Sequence, residues 1–106
     1  LLTEGRRRGL SLNRVAELTS WNPARRFGLH SKGDLAPGFD ADIVLVDPDR
    51  SFVVRASESP SSQGYTPFEG LELQGKIMST YLRGELIYND GTVVGEPRGQ
   101  YLKRPY

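Results

Sequence analysis

The sequence predicts an α+β fold in which helices come first and strands follow. Three observations carry this. Apolar residues recur at helical spacing between Leu12 and Thr19. From Ile43 onward, β-branched runs and period-two alternation take over. The two patterns do not interleave, so the strand–helix alternation of a parallel sheet is absent. Twelve glycines and seven prolines in 106 residues fit a turn-rich chain. A hydrophobic content of 37% is too high for a disordered one. The length suits one domain or part of one.

Residues 1–9 read as a helix end or loop broken by Gly5 and Gly9. Ser11 is suited to cap a following helix, because its hydroxyl accepts from free amides of the first turn. Leu12, Val15, Ala16 and Thr19 then form one face at i, i+3, i+4, i+7, widened by Leu18. That helix is expected to stop near Ser20-Trp21. Asn22 would cap a second, short helix with Pro23 in its first turn, ended by Gly28. Lys32 to Gly38 is a turn region, with Pro37-Gly38 in a type II pattern.

Ile43 to Val46 reads as a central strand covered on both faces. Asp47-Pro48-Asp49 would end it, and Ser51 to Arg55 would be a second strand. Residues 57–70 form a long polar loop, of a length that is usually functional or docked on something else. Lys76 to Arg83 alternates as a strand. Glu85 to Tyr88 and Thr92 to Val94 make a hairpin around Asn89-Asp90-Gly91, where Gly91 is expected at positive φ. Gly95 to Tyr106 reads as an extended arm. The pattern is thus two helices and about five short strands.

The residues carry little chemistry. The one histidine, His30, lies in a polar turn and reads as a surface residue, whereas zinc normally takes three or four His, Cys or carboxylate ligands. Asp40 and Asp42, and Asp47 and Asp49, sit two apart, which would suit acid–base work or calcium. A short Asp-rich turn is the plainer reading, and no EF-hand spacing follows. Ser11, Ser20 and the serines of 57–62 lack a nucleophile-elbow context. Gly33 to Gly38 lacks the ending of a phosphate loop. No catalytic, cofactor-binding or metal-binding residue is therefore expected in this chain.

Net charge is +1, unevenly spread: seven Lys/Arg against three Asp/Glu up to Asp34, then seven against ten. Arg6-Arg7-Arg8 and Arg25-Arg26 read as solvated helix faces rather than a nucleic-acid patch, being short runs, with no aromatic interleaved in the first. No apolar run approaches the roughly 18 residues of a membrane helix. No nucleic acid and no membrane are therefore expected as partners. With no cysteine the cytoplasm is the expected compartment. The chain opens on Leu1, on what reads as the tail of a helix, so a preceding segment is expected.

Three stretches together carry a resemblance: Trp21 to Leu29 (WNPARRFGL), Lys32 to Asp47 (KGDLAPGFDADIVLVD), and Tyr65 to Gly70 (YTPFEG) with Gly75 to Tyr88 (GKIMSTYLRGELIY). In order and spacing they resemble the C-terminal end of the cyclic amidohydrolases, a family of dihydroorotases, hydantoinases and allantoinases. The resemblance runs from about Leu10 to Leu102. It implies an α+β fragment: residues 1–30 as terminal helices of a (β/α)8 metallohydrolase barrel, 31–94 as strands of a small β-sandwich built from both chain ends, and 95–106 as an extended C-terminal arm. It implies zinc in the parent enzyme, held upstream by a His-x-His pair, a carboxylated lysine, two more histidines and an aspartate. None of these has a counterpart here, so no zinc is expected on this chain. A zinc-activated hydroxide would open the cyclic amide in the parent.

The expected partners are the remainder of that enzyme and further copies of the chain, through strand edges and the arm. The wording Tyr-Thr-Pro-Phe-Glu-Gly resembles dihydroorotase-like and hydantoinase-like members more than typical allantoinases, and the expected substrate order is dihydroorotase-like first, then hydantoinase or allantoinase. A stand-alone β-rich binding module without catalysis is the alternative.

Overall fold

The computed structural model describes residues 1–104; Pro105 and Tyr106, the end of the expected arm, lie outside the described residues. Helices come first and an antiparallel sheet follows, as the sequence predicts.

Helix α1 spans Leu2–Arg7 and contains Gly5, which is buried rather than a breaker. Its lack of a side chain lets Leu10 fold back: a Cβ there would come within 3.2 Å of Leu10 Cδ2. The stop falls at Gly9, φ 78, where Gly9 N–H donates to Arg6 O and Leu10 N–H to Gly5 O, the paired bonds of a Schellman ending. Ser11 caps α2, Leu12–Ala16, by accepting Arg14 N–H at 3.1 Å.

The expected break after Ser20 does not occur. The chain passes through a π-type turn, Glu17–Trp21, straight into α3, Asn22–Arg26. Asn22 is helical (φ −64, ψ −45) and caps nothing; its N–H reaches back to Glu17 O. Pro23 explains this. A proline removes one ladder donor and crowds the preceding turn, and widening that turn by one residue relieves both. Gly28, φ 67, then ends α3 with a second Schellman pair, Gly28 N–H to Arg25 O and Leu29 N–H to Ala24 O.

The sheet is a four-stranded meander in the order β1-β2-β3-β4: Ile43–Val53, Glu72–Leu82, Glu85–Asn89 and Thr92–Val93. Two expectations change here. Asp47-Pro48-Asp49 does not end β1. Asp47 pairs with Lys76 and Ser51 with Gln74, so the residues between bulge out and pairing resumes. Pro48 has no N–H for the ladder, and Asp49 N–H turns inward to Asp47 Oδ1 at 3.0 Å. One long strand replaces two short ones. In addition β1 is an edge strand, not a central one, and Val44 and Leu45, on opposite faces, are 53% and 49% exposed.

The hairpin forms as expected, with Asp90 (φ 40) and Gly91 (φ 95) both left-handed, as a type I′ turn requires. The β2–β3 turn is of the same kind, with Arg83 (φ 48) and Gly84 (φ 82) between the strands.

Helix α1 is tied to the sheet. Thr3 Oγ1 donates to Gln74 O at 2.8 Å and accepts Gln74 N–H at 2.9 Å. Leu2 packs against Gly75, φ 99, where a Cβ would come within 3.1 Å of Leu2 Cδ1. Arg6 reaches the β1 bulge, donating to Pro48 O and pairing with Asp49 at 3.4 Å. In contrast, α2 and α3 adjoin the π turn and α2 also packs on α1, with no substantial contact of either to the sheet.

Little is buried. Among the described residues the buried hydrophobic side chains are Val15 and Ala24. The helix face read from the sequence is otherwise open, with Leu12 48% and Leu18 40% exposed.

Candidate functional site

The turn region joining α3 to β1 brings together Ser31, Lys32, Asp40 and Asp42. Ala36 to Phe39 closes as a β-turn (Phe39 N–H to Ala36 O, 3.1 Å), with Pro37 second and Gly38 third at φ 92, as the type II pattern predicts. Across its mouth Asp40 N–H donates to Ser31 O at 2.8 Å and Ser31 Oγ to Asp40 Oδ2 at 2.9 Å. Lys32 Nζ sits between two carboxylates, 2.9 Å from Asp40 and 2.5 Å from Asp42. The second oxygen of Asp42 accepts Arg83 N–H at 2.9 Å.

The electrostatics follow from that geometry. Partial burial by itself would push the Lys32 ammonium down, but its hydrogen bonds to Asp42 and Asp40 outweigh this and raise it. The Lys32 and Ser31 hydrogen bonds hold the Asp40 carboxyl below its ordinary value. Asp40 Oδ2 and both oxygens of Asp42 are taken by internal donors. The two carboxylates brace the turn from within. Lys32 was not singled out in the sequence; the signal was a lysine facing an Asp-x-Asp across a Pro-Gly turn.

The other candidates do not converge. His30 is exposed in the preceding turn. Asp47 and Asp49 serve the bulge. Ser11 caps α2. The loop at 57–70 is closed at its neck by Gly70 N–H to Val54 O (2.9 Å) and by Glu69, which accepts Ala56 N–H at 2.6 Å. It presents Tyr65 and Phe68, 69% and 57% exposed. Glu4 takes up two of the basic residues, meeting Arg7 at 2.5 Å and Arg8 at 2.7 Å, and these bonds lower its pKa to about 2. Arg25 stacks over Trp21 at 4.1 Å.

Two open hollows mark the surface. One of about 440 Å³ lies between the β2–β3 turn and Arg98 to Gln100; the other, about 320 Å³, lies beside Trp21 and Gly33. Neither contains His30. Among the described residues no group of three or more His, Cys, Asp or Glu is placed to hold a metal ion. The zinc implied by the resemblance does not fit the donors of this chain. Among the described residues no helix is long and apolar enough to cross a membrane.

The helical run, the clamped turn and the open-edged meander can now be set beside known proteins. The profile of the amidohydrolase family matches residues 1–87, and the chain belongs to that family. Within it, the relatives are hydantoinases and dihydropyrimidinases, members of the cyclic amidohydrolase group. D-phenylhydantoinase of Escherichia coli O1:K1 / APEC is 46% identical over 97 residues, 90% of this chain and 21% of that protein. A solved D-hydantoinase superposes with a TM-score of 0.91 at 38% identity, over 97% of this chain and 23% of its own. L-hydantoinase (dihydropyrimidinase) from Arthrobacter aurescens gives 0.84 at 38%, over 90% and 22%. The chain spans about a fifth of the length of the curated relatives it matches. These relatives give no support to placing dihydroorotase first.

Proposed function

We propose that this chain is the C-terminal structural part of a hydrolase that opens cyclic amides, with hydantoins ahead of dihydroorotate and allantoin. In this reading residues 1–30 close the outside of a (β/α)8 barrel. Residues 31–94 are part of a small β-sandwich whose other strands pair with the free edge of β1. The metal ligands and the reacting groups lie outside this chain.

The observation that carries the reading is the pairing of close likeness with an unfilled fold. The chain matches nearly end to end, yet Val44, Leu45, Phe52, Val53, Leu12 and Leu18 are all at least about one-third exposed. Unpaired edges and apolar faces of this kind are normally covered. Zinc would polarise the ring carbonyl and supply hydroxide at neutral pH in the whole enzyme; the residues of this chain would hold the scaffold around it.

The test is ring opening by the full-length protein. Phenylhydantoin should be opened in preference to dihydroorotate and allantoin, and failure to open any of the three would overturn the reading. The isolated chain should open none and hold no zinc stoichiometrically. One tightly bound zinc per chain, lost in His30→Ala, would contradict the placement of the metal site.

A further inference from the structure

The connector between α3 and β1 is fastened at both ends to different parts of the molecule. At its start, Gly33 (φ 90) lies so close to the helical run that a Cβ would sit 2.7 Å from Ser20 O and from the Ala24 methyl. At its end, Asp42 accepts Arg83 N–H, and Gly84 N–H donates to Ala41 O at 2.9 Å. Arg83 is a non-glycine residue at φ 48, a conformation that needs surrounding bonds to hold it. Lys32, next to Gly33, reaches ten positions along the chain to Asp42 and also grips Asp40. Its side chain is only 16% exposed. Without it, two carboxylates on neighbouring alternate positions would face each other with no cation between them.

We propose that Lys32 is a positioning clasp: by gripping Asp40 and Asp42 together it couples the α2–α3 helical run to the β2–β3 turn, so that the two move as one body. Within this chain α2 and α3 have no substantial contact of their own with the sheet, and two joints link them to it, α1 and this connector. The clasp is the charged half of the second joint. This role does not depend on which ring is hydrolysed.

Hydrogen exchange on the full-length protein tests it without reference to activity. Lys32→Met should speed exchange of the Arg83 and Gly84 amides and of residues 33–40 by on the order of tenfold. Amides of Leu73 to Ile77, at the far end of β2, should change much less. Lys32→Arg should restore part of the protection. Val15→Ala, a packing loss of comparable kind elsewhere, should not single out Arg83 and Gly84. Unchanged exchange at 83–84 in Lys32→Met, or a loss spread evenly over the sheet, would overturn the proposal. Where Lys32→Met does not fold, Asp42→Asn decides. It keeps an acceptor for Arg83 N–H but loses the charge facing Lys32, so residues 33–40 and the Arg83 and Gly84 amides should loosen in the same direction as in Lys32→Met, by less. Unchanged exchange at 33–40 would then overturn it.

Discussion

Gly33 and Gly38 share one turn region and nearly the same φ, 90 and 92, yet they bear different loads. Around Gly38 a Cβ would meet nothing within 4 Å, whereas at Gly33 it would strike a backbone carbonyl of the helical run. Gly38→Ala should therefore cost only the left-handed penalty, about 1 kcal/mol. Gly33→Ala should cost clearly more, about 2–4 kcal/mol, because the connector must lift off the helix. Gly91→Val in the hairpin should cost about 1 kcal/mol or more. Denaturant titration of the full-length protein checks all three, and equal losses at Gly33 and Gly38 would contradict the close crossing. Acid provides a second test. Asp40 and Asp90 are both held below the ordinary aspartate value, by Lys32 and by Lys76 at 2.7 Å. Groups depressed in the folded state stabilise it above their unfolded pKa and lose that contribution as pH falls through the folded one. Stability should thus fall below about pH 4, and Asp40→Asn with Asp90→Asn should flatten that slope. The φ demands of Gly38 and Gly91 were legible in the sequence, from Pro37-Gly38 and Asn89-Asp90-Gly91; that of Gly33 was not. The Lys32 clasp was not, because it joins residues across a loop whose closure no local pattern announces.

At the scale of elements, the helix caps and the hairpin were readable because each depends on one or two neighbouring residues. Ser11, Gly28 and the type I′ turn all do in the structure what their chemistry suggests. The errors came where a local signal competed with a longer-range one. Asn22-Pro23 looked like a new helix start, but the helical run absorbs the proline in a π turn. Asp47-Pro48-Asp49 looked like a strand end, but β2 continues opposite and Arg6 of α1 fills the bulge. The docking of α1 is another long-range feature, and it turns on Thr3, whose hydroxyl serves both backbone groups of Gln74. Thr3→Val keeps the shape and removes both bonds, leaving β2 backbone groups unpaired. It should cost about 1–3 kcal/mol and raise hydrogen exchange along α1. Exchange in α1 equal to that of the unaltered protein would show that Leu2 and Arg6 suffice to hold it.

The whole molecule is open for its size. Its radius of gyration is 15.3 Å, against about 13 Å for a compact chain of this length. It exposes 8291 Å², where a compact monomer of 11.8 kDa would expose about 5,900 Å². The surplus, roughly 2,400 Å², matches one side of a large obligate interface. It is consistent with the free edge of β1, the open face of α2, and Tyr101, 92% exposed beyond the Arg98–Glu85 pair that anchors the arm. An exposed edge and apolar faces drive association when their natural cover is withheld. Sedimentation velocity of the isolated 106-residue chain at low micromolar concentration tests this most directly. The account predicts self-association, weakened when residues 96–106 are removed. A stable, compact monomer whose behaviour is unchanged by that deletion would contradict it and favour a self-sufficient binding module.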